Sequence, residues 1–91
     1  MSSDKVTYLI DYDKHFLKRL QKLKKHDFQL YERLEKKMEE IVQNPEHHKP
    51  LQNVLKGKRR AHVGSFVIIF TFDKNEGVIT FLEFDHHDNV Y

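Results

Sequence analysis

The stretch KRRAHVGSFVIIFTFDKNEGVITFLEF, residues 58–84, decides the fold class of this 91-residue chain. Polar and apolar side chains alternate in residues 58–63, whereas residues 66–72 are apolar at almost every position, and residues 78–84 form a further β-prone run. Gly64-Ser65 and the D-K-N-E-G run 73–77 separate these segments, as turns of hairpins do. The stretch therefore predicts three consecutive antiparallel strands, the middle one covered on both faces.

The residues before this stretch predict one strand and two helices. Residues 6–10, V-T-Y-L-I, are β-branched and aromatic, which is typical of a strand. Asp11 or Asp13 can cap a first helix, Asp27 can cap a second, and Asn44 before a proline ends it. The apolar stripes at helical spacing are Phe16, Leu17, Leu20 and Leu23, and then Tyr31, Leu34, Met38, Ile41 and Val42. The order β-α-α-β-β-β predicts an α+β fold, a small and mostly antiparallel twisted sheet with an N-terminal helical hairpin packed on one face.

Length and composition limit the possible classes of protein. A chain of 91 residues is long enough for a single domain, which we expect to span residues 1–91. The absence of cysteine excludes a disulfide framework and a thiolate nucleophile. No apolar run approaches the roughly 18 residues of a membrane span, and the first residues do not resemble a signal peptide, so we expect a cytoplasmic chain without a membrane partner.

Charge is distributed unevenly along the chain. Residues 47–72 contain no aspartate or glutamate, but they include five positive charges, at Lys49, Lys56, Lys58, Arg59 and Arg60. From residue 73 onward acidic residues predominate. A cationic strand of this kind can bind a polyanion and hold it beside carboxylates and histidines, although a solvated basic segment has the same composition.

The first candidate group lies on the basic strand. Pleating places Lys58, Arg60 and His62 on one face, and Arg59 on the other, with about 6.5–7 Å between alternate residues. This spacing is close to that of successive phosphates, and an arginine can hold a phosphate through two hydrogen bonds. The alternative is a charged strand that protects the sheet from aggregation.

The second candidate group is the closing segment D-H-H-D-N-V-Y, residues 85–91. Histidine transfers protons near neutral pH, and a tyrosine hydroxyl can donate or orient, although a frayed polar terminus is the alternative. No metal-ligand motif is present, so we expect neither a metal nor another cofactor. In a three-stranded meander the two groups lie about 10 Å apart, which leaves room for a ribose and its phosphate. Phe66 or Tyr91 could stack on an unpaired base.

Two motifs resemble those of a known family. L-K-G-K-R-R-A-H-V-G-S-F-V-I-I-F-T-F-D, residues 55–73, resembles the core of RelE/ParE toxins, in which leucine, any residue and glycine precede a basic strand, a turn and an apolar strand. D-H-H-D-N-V-Y resembles the closing motif H-R-x-x-V-Y of that family. The resemblance extends over nearly the whole chain and implies the toxin of a type II toxin–antitoxin system, with a RelB-like antitoxin as its partner.

The RelE branch of the family implies an mRNA interferase that inhibits translation. This reaction is a metal-independent cleavage of messenger RNA on the ribosome, by attack of a ribose 2′-hydroxyl on the adjacent phosphate. By position, the resemblance assigns Arg60 and His62 to the basic residues of the second strand, and His86 and Tyr91 to the closing motif. Our hypothesis for the catalytic residues is Arg59, Arg60, His62, His86 and Tyr91, and for RNA binding it is Lys56, Lys58, Phe66 and His87.

One position departs from the RelE pattern. Members commonly carry an arginine directly after the aromatic residue that matches Phe66, but this chain has Val67. Loss of such a charge-stabilising group can lower a rate by about 10²–10³. The alternatives are therefore a ParE-like inhibitor of DNA gyrase, a toxin that binds its target without cleaving RNA, or a degenerate toxin that keeps only its antitoxin-binding surface.

Overall fold

A computed structural model describes residues 8–47 and 57–89 of the chain. The strands of this part are β1 (Leu9–Tyr12), β2 (Arg59–Val63), β3 (Phe66–Asp73) and β4 (Val78–His86), and the α-helices are α1 (Lys14–His26) and α2 (Phe28–Gln43). Single turns of 3₁₀-helix at Pro45–His47 and His87–Asn89 follow α2 and β4. The predicted β-α-α-β-β-β order is confirmed. No helix of the described residues is long and apolar enough to cross a membrane.

Aspartate caps begin both helices. The Asp13 carboxylate accepts the N–H of His15 at 2.8 Å, and the Asp27 carboxylate accepts the N–H of Leu30 at 3.2 Å. These bonds satisfy amides that have no partner within the helix. Of the two candidates for the first cap, Asp13 is therefore the one used, and α2 ends before Asn44 as predicted.

The sheet is mixed, with the strand order β1-β4-β3-β2. Both β2 and β4 run antiparallel to β3, whereas β1 runs parallel to β4. The expectation of a mostly antiparallel sheet is thus confirmed. β1 continues beyond the predicted 6–10 to Tyr12, because residues 9–12 pair with residues 78–81 of β4. Residues 6 and 7 lie outside the described part of the chain.

Both helices pack on one face of the sheet, which we call the helix face. α1 lies against β4 and α2 lies against β2. The core between these layers is fully buried, with Phe16, Leu34, Ile41, Phe70 and Phe81 at 0–1% exposure. Burying side chains of this size stabilises a fold by about 1.5–3 kcal/mol each, so this layer provides most of the driving force for folding.

The opposite side of the sheet, which we call the far face, has a smaller apolar cluster. Val67 and Ile69 of β3 are buried there, and Leu82 of β4 packs against them. The intervening residues Ile68 and Phe70 belong to the core of the helix face. β3 is therefore apolar on both sides, as the sequence predicts, and the far face is the side available for charged residues of β2 and β4.

Candidate functional site

The strand register determines which residues share the far face. His62 is paired with Val67, and Val67 in turn is paired with Asp85. One pair further along, Arg60 lies opposite Ile69, and Ile69 lies opposite Glu83. Because directly opposed residues point to the same side of a sheet, Arg60 and His62 border an apolar strip whose other border is acidic.

The two residues of β2 on the far face differ in accessibility. His62 is exposed, so its imidazole can reach a ligand from solvent. Arg60 is half-buried, and its Nη1 atom is shielded from solvent. Lys58 directly precedes β2 and is also half-buried. The structure thus places the basic residues along one border of the far face, with a half-buried guanidinium beside an exposed imidazole.

Arg59 occupies the other side of the sheet. It is paired with Phe70, which belongs to the core under the helices, so Arg59 lies on the helix face while Arg60 lies on the far face. Neighbouring residues of a strand point in opposite directions. Our hypothesis counts both Arg59 and Arg60 as catalytic residues, but this register allows only Arg60 to contact a phosphate bound to the far face.

His86 also lies on the helix face. It is the last residue of β4 rather than the first of a polar tail, and it is paired with Phe66. The two rings are in contact, with centroids 4.5 Å apart, and Phe66 packs against the core on the helix face. The predicted arrangement, with His86 facing His62 across the sheet, is therefore corrected: the residue of β4 nearest to His62 on the far face is Asp85.

A β-bulge causes this change of side. The register shifts between Ile69 and Phe70, so that Ile69 is opposite Glu83 while Phe70 is opposite Phe81, and β4 has one extra residue at Leu82. An extra residue reverses the alternation of every side chain that follows it. Without the bulge, His86 would lie on the far face, as Leu82 does.

The closing segment folds back against the turn between β2 and β3. The N–H of His87 donates to the carbonyl oxygen of Ser65 at 3.0 Å. The Asp85 carboxylate accepts the N–H of His86 at 2.8 Å and the side-chain amide of Asn89 at 3.3 Å. His87 is exposed, and its Nδ1 lies 3.1 Å from a carboxylate oxygen of Asp88. These contacts fix the start of the closing segment beside the basic strand.

Arg19 of α1 supports the same region from the helix layer. Its guanidinium donates to the carbonyl oxygen of Phe84 at 2.5 Å and lies 4.6 Å from the centre of the Phe84 ring. Burial raises the pKa of Asp85. The hydrogen bonds from His86 and Asn89 and the positive charge of Arg19 together outweigh this effect, so the pKa of Asp85 is below its usual value. Asp85 is accordingly a carboxylate at neutral pH.

Arg33 of α2 reaches the β2–β3 turn from the other helix. Its Nη2 atom lies 2.5 Å from the position that a Cβ atom at Gly64 would occupy, and Gly64 has a φ of 61°. Any larger residue at this position would displace the guanidinium. Sequence reasoning assigned no role to Arg19 or Arg33, because at helical spacing both resemble ordinary solvent-facing cations.

Two of the predicted site residues, Lys56 and Tyr91, lie outside the described residues. Within residues 8–47 and 57–89, no three histidine, aspartate or glutamate side chains come together as metal ligands. The described candidates thus form two sets on opposite sides of the sheet, one with Arg60 and His62 and the other with Phe66 and His86.

The family model described as "ParE toxin of type II toxin-antitoxin system, parDE" matches residues 10–91. The chain belongs to the RelE/ParE toxin superfamily. A protein of Methanocaldococcus jannaschii with the name "Putative toxin RelE4" is 49% identical over 73 residues, which is 79% of this chain and 78% of that protein. The family resemblance of the two motifs is confirmed.

Solved toxin structures share the fold of this RelE/ParE toxin. A chain from the RelBE2 toxin–antitoxin complex of Mycobacterium tuberculosis aligns with a TM-score of 0.76 at 20% identity, over 90% of this chain and 100% of that one. A chain from the archaeal RelE–RelB complex of Pyrococcus horikoshii aligns with a TM-score of 0.68 at 23% identity, over 93% and 100%. The predicted α+β, RelE-like fold is confirmed by these alignments.

Proposed function

We propose that this toxin is a ribosome-dependent endoribonuclease that cleaves messenger RNA and binds RNA with its far face. The observation that carries the proposal is the placement of Arg60 and His62 on one side of the sheet, beside an apolar strip that ends at Asp85. An arginine can hold a phosphate through two hydrogen bonds, and a histidine can transfer a proton at neutral pH. The reaction takes place in the cytoplasm, on the messenger of a translating ribosome.

The cleavage needs a base, an acid and a positive charge. A base removes the proton of the ribose 2′-hydroxyl, the oxygen attacks the adjacent phosphorus, and the bond to the 5′-oxygen of the next nucleotide breaks as that oxygen gains a proton. The products carry a 2′,3′-cyclic phosphate and a 5′-hydroxyl, and no metal takes part. In our proposal Arg60 neutralises the phosphate, His62 transfers one of the protons, and Lys58 attracts the RNA backbone.

Residues at the end of the sheet complete the proposed RNA-binding region. Phe66 and His86 form a ring pair there, and His87 is exposed beside it. A nucleotide base of an RNA that extends beyond this end of the far face can stack on these rings. Tyr91 and Lys56 remain candidates for the second proton transfer and for phosphate binding. Arg59 lies on the helix face, so in this proposal it has no contact with the scissile phosphate.

The proposed physiological partner is an antitoxin of the RelB type. The aligned structures from M. tuberculosis and P. horikoshii are complexes of a toxin with its antitoxin. Since type II toxins are controlled by a protein partner, we propose that an antitoxin binds this chain and blocks access of RNA to the far face.

Two observations favour a second candidate function, in which the toxin blocks its target, the ribosome or DNA gyrase, without cleaving RNA. Val67 lies on the far face between His62 and Asp85, at the position where RelE members commonly carry an arginine. In addition, His62 and His86 lie on opposite sides of the sheet and cannot act together on one ribose from the far face. A toxin that only binds its target needs neither an arginine at this position nor two histidines that act together.

Ribosomes programmed with a labelled messenger separate the two candidates. We expect cleaved messenger with a 2′,3′-cyclic phosphate end when the toxin is present in less than equimolar amounts. Arg60→Ala should lower the rate by about 10²-fold, and His62→Ala by about 10²–10⁴-fold. Lys74→Ala is the control, because its side chain is exposed and lies outside the proposed site.

Each other outcome has a defined meaning. Intact messenger with stoichiometric inhibition of translation would refute the nuclease and support a ribosome-binding toxin. Inhibition of DNA supercoiling without an effect on translation would support the gyrase inhibitor. If His86→Ala abolishes cleavage while His62→Ala does not, the reaction takes place at the end of the sheet on the helix face, and the far-face assignment is wrong.

A further inference from the structure

Helix α1 carries an unusual concentration of positive charge. Its 13 residues, KHFLKRLQKLKKH, include five lysines and one arginine but no aspartate or glutamate. The neighbouring α2 has the sequence FQLYERLEKKMEEIVQ, in which acidic and basic residues are mixed. The difference shows that the charge of α1 is a property of this helix rather than of the exposed helical surface in general.

Four of the lysines of α1 form one stripe on the outside of the helix. They are Lys14, Lys18, Lys22 and Lys25, all exposed, and we call them the α1 lysine stripe. At 100° per residue they lie within about 80° of one another, and the stripe is about 16 Å long. The buried residues Phe16 and Leu20 occupy the opposite side of the helix, so the stripe faces away from the core.

Arg19 and Lys24 of α1 are engaged within the fold. Arg19 binds the carbonyl oxygen of Phe84, and the Lys24 ammonium lies 5.6 Å from the centre of the Tyr31 ring. Among residues 8–47 and 57–89, no carboxylate lies within ion-pair distance of any stripe lysine. Like charges at a spacing of four residues destabilise a helix, so the stripe costs stability that a polyanionic ligand would restore.

We propose that the α1 lysine stripe binds the phosphate backbone of structured RNA. A phosphodiester chain presents a row of charges to such a stripe, and lysines four residues apart rise by about 6 Å along the helix. The centre of a protein interface, in contrast, is depleted of lysine and enriched in apolar and aromatic residues. The shallow depression along this surface is lined by polar residues alone: His15, Lys18, Arg19, Gln21, Lys22 and Lys25.

The position of the stripe determines how it relates to the proposed nuclease. α1 packs on the helix face, whereas Arg60 and His62 are on the far face, so the two basic surfaces are on opposite sides of the sheet. Resting on the proposed function, we infer that the stripe contacts folded ribosomal RNA while messenger lies on the far face. Substitutions of Arg60 or His62 should then abolish cleavage without weakening RNA binding at the stripe.

The test compares two variants that each lose three positive charges. The stripe variant is Lys18→Gln, Lys22→Gln and Lys25→Gln, and the control is Lys36→Gln, Lys37→Gln and Lys74→Gln. Glutamine keeps a helix propensity close to that of lysine. With a labelled RNA hairpin of about 16 base pairs as the probe, the stripe variant should bind at least about tenfold more weakly at 0.1 M salt, and the slope of log K against log salt should fall by about 2.

Ribosome binding in a sedimentation assay should fall in parallel, and circular dichroism should show that both variants are folded. Equal affinity and equal salt dependence of the two variants would overturn the proposal. So would displacement of the hairpin by polyglutamate as efficiently as by unlabelled RNA, since the stripe would then be a site for an acidic peptide. If the stripe binds RNA but no messenger is cleaved, the proposed function fails and this inference remains.

Discussion

On the helix face, β3 places Ile68 and Phe70 in a core that both helices cover, whereas on the far face the same strand places Val67 and Ile69 between charged residues. The first set is one part of a large cluster, and the second is a narrow apolar strip. One strand therefore contributes to folding with one side and to a candidate RNA surface with the other. Substitutions on the helix face should mainly change stability, and substitutions on the far face should mainly change activity.

The largest effect is expected from Ile68→Ala on the helix face. This change leaves a cavity under both helices and should lower the free energy of unfolding by about 3–5 kcal/mol. The matched change on the far face is Ile69→Ala, which should cost about 2–3 kcal/mol because the apolar cluster there is small. Urea unfolding measures both. Equal costs for the two variants would mean that the two faces do not differ in their contribution to the core.

An intermediate effect is expected from Val67→Arg on the far face. The new guanidinium would lie between His62 and Asp85, where it can stabilise charge on a phosphate, so messenger cleavage should rise by about tenfold or more. Val67→Lys is the control, because an ammonium has the same charge without the planar pair of donors. Rates are measured on programmed ribosomes. Unchanged cleavage by a folded Val67→Arg protein would argue against a scissile phosphate at this position.

The smallest effect is expected from Asp85→Asn, and it depends on pH. Because the folded protein lowers the pKa of Asp85, the carboxylate contributes stability above its unfolded pKa of about 3.9, and this contribution is lost as the pH falls through the folded pKa. At pH 7 the variant should be less stable by about 0.5–1 kcal/mol, the value of a hydrogen bond. The difference in the free energy of unfolding between the two proteins should shrink as the pH falls below about 3.9, and a constant difference would contradict this assignment.

Much of the architecture follows from local patterns in the sequence. Asp27 and Asn44 mark the limits of α2, Gly64-Ser65 marks the β2–β3 turn, and the run of apolar residues at 66–72 predicts a strand buried on both sides. Each of these signals depends on neighbouring residues alone, through capping, turn conformation or periodicity. The structure confirms all of them, with shifts of one or two residues at the ends of β2, β3 and β4.

The side of the sheet on which each candidate residue lies could not be predicted in the same way. The alternation of β2 correctly separates Arg59 from Arg60, but that of β4 is reversed by the bulge at Leu82, which moves His86 to the helix face. The pattern of Ile79, Phe81 and Phe84 contains this information, since Phe81 and Phe84 are three positions apart rather than two. It becomes interpretable only once all three are seen to face the same core.

By itself, the sequence determined the order of strands and helices, their caps and turns, the family and the positions of the charged residues, because these depend on the chain within a few residues. Only the tertiary structure decided that His62 faces Asp85 rather than His86, and that Arg19 and Arg33 reach the ends of β4 and the β2–β3 turn. These relations depend on pairing between distant segments. A single extra residue in one strand changes every such relation beyond it.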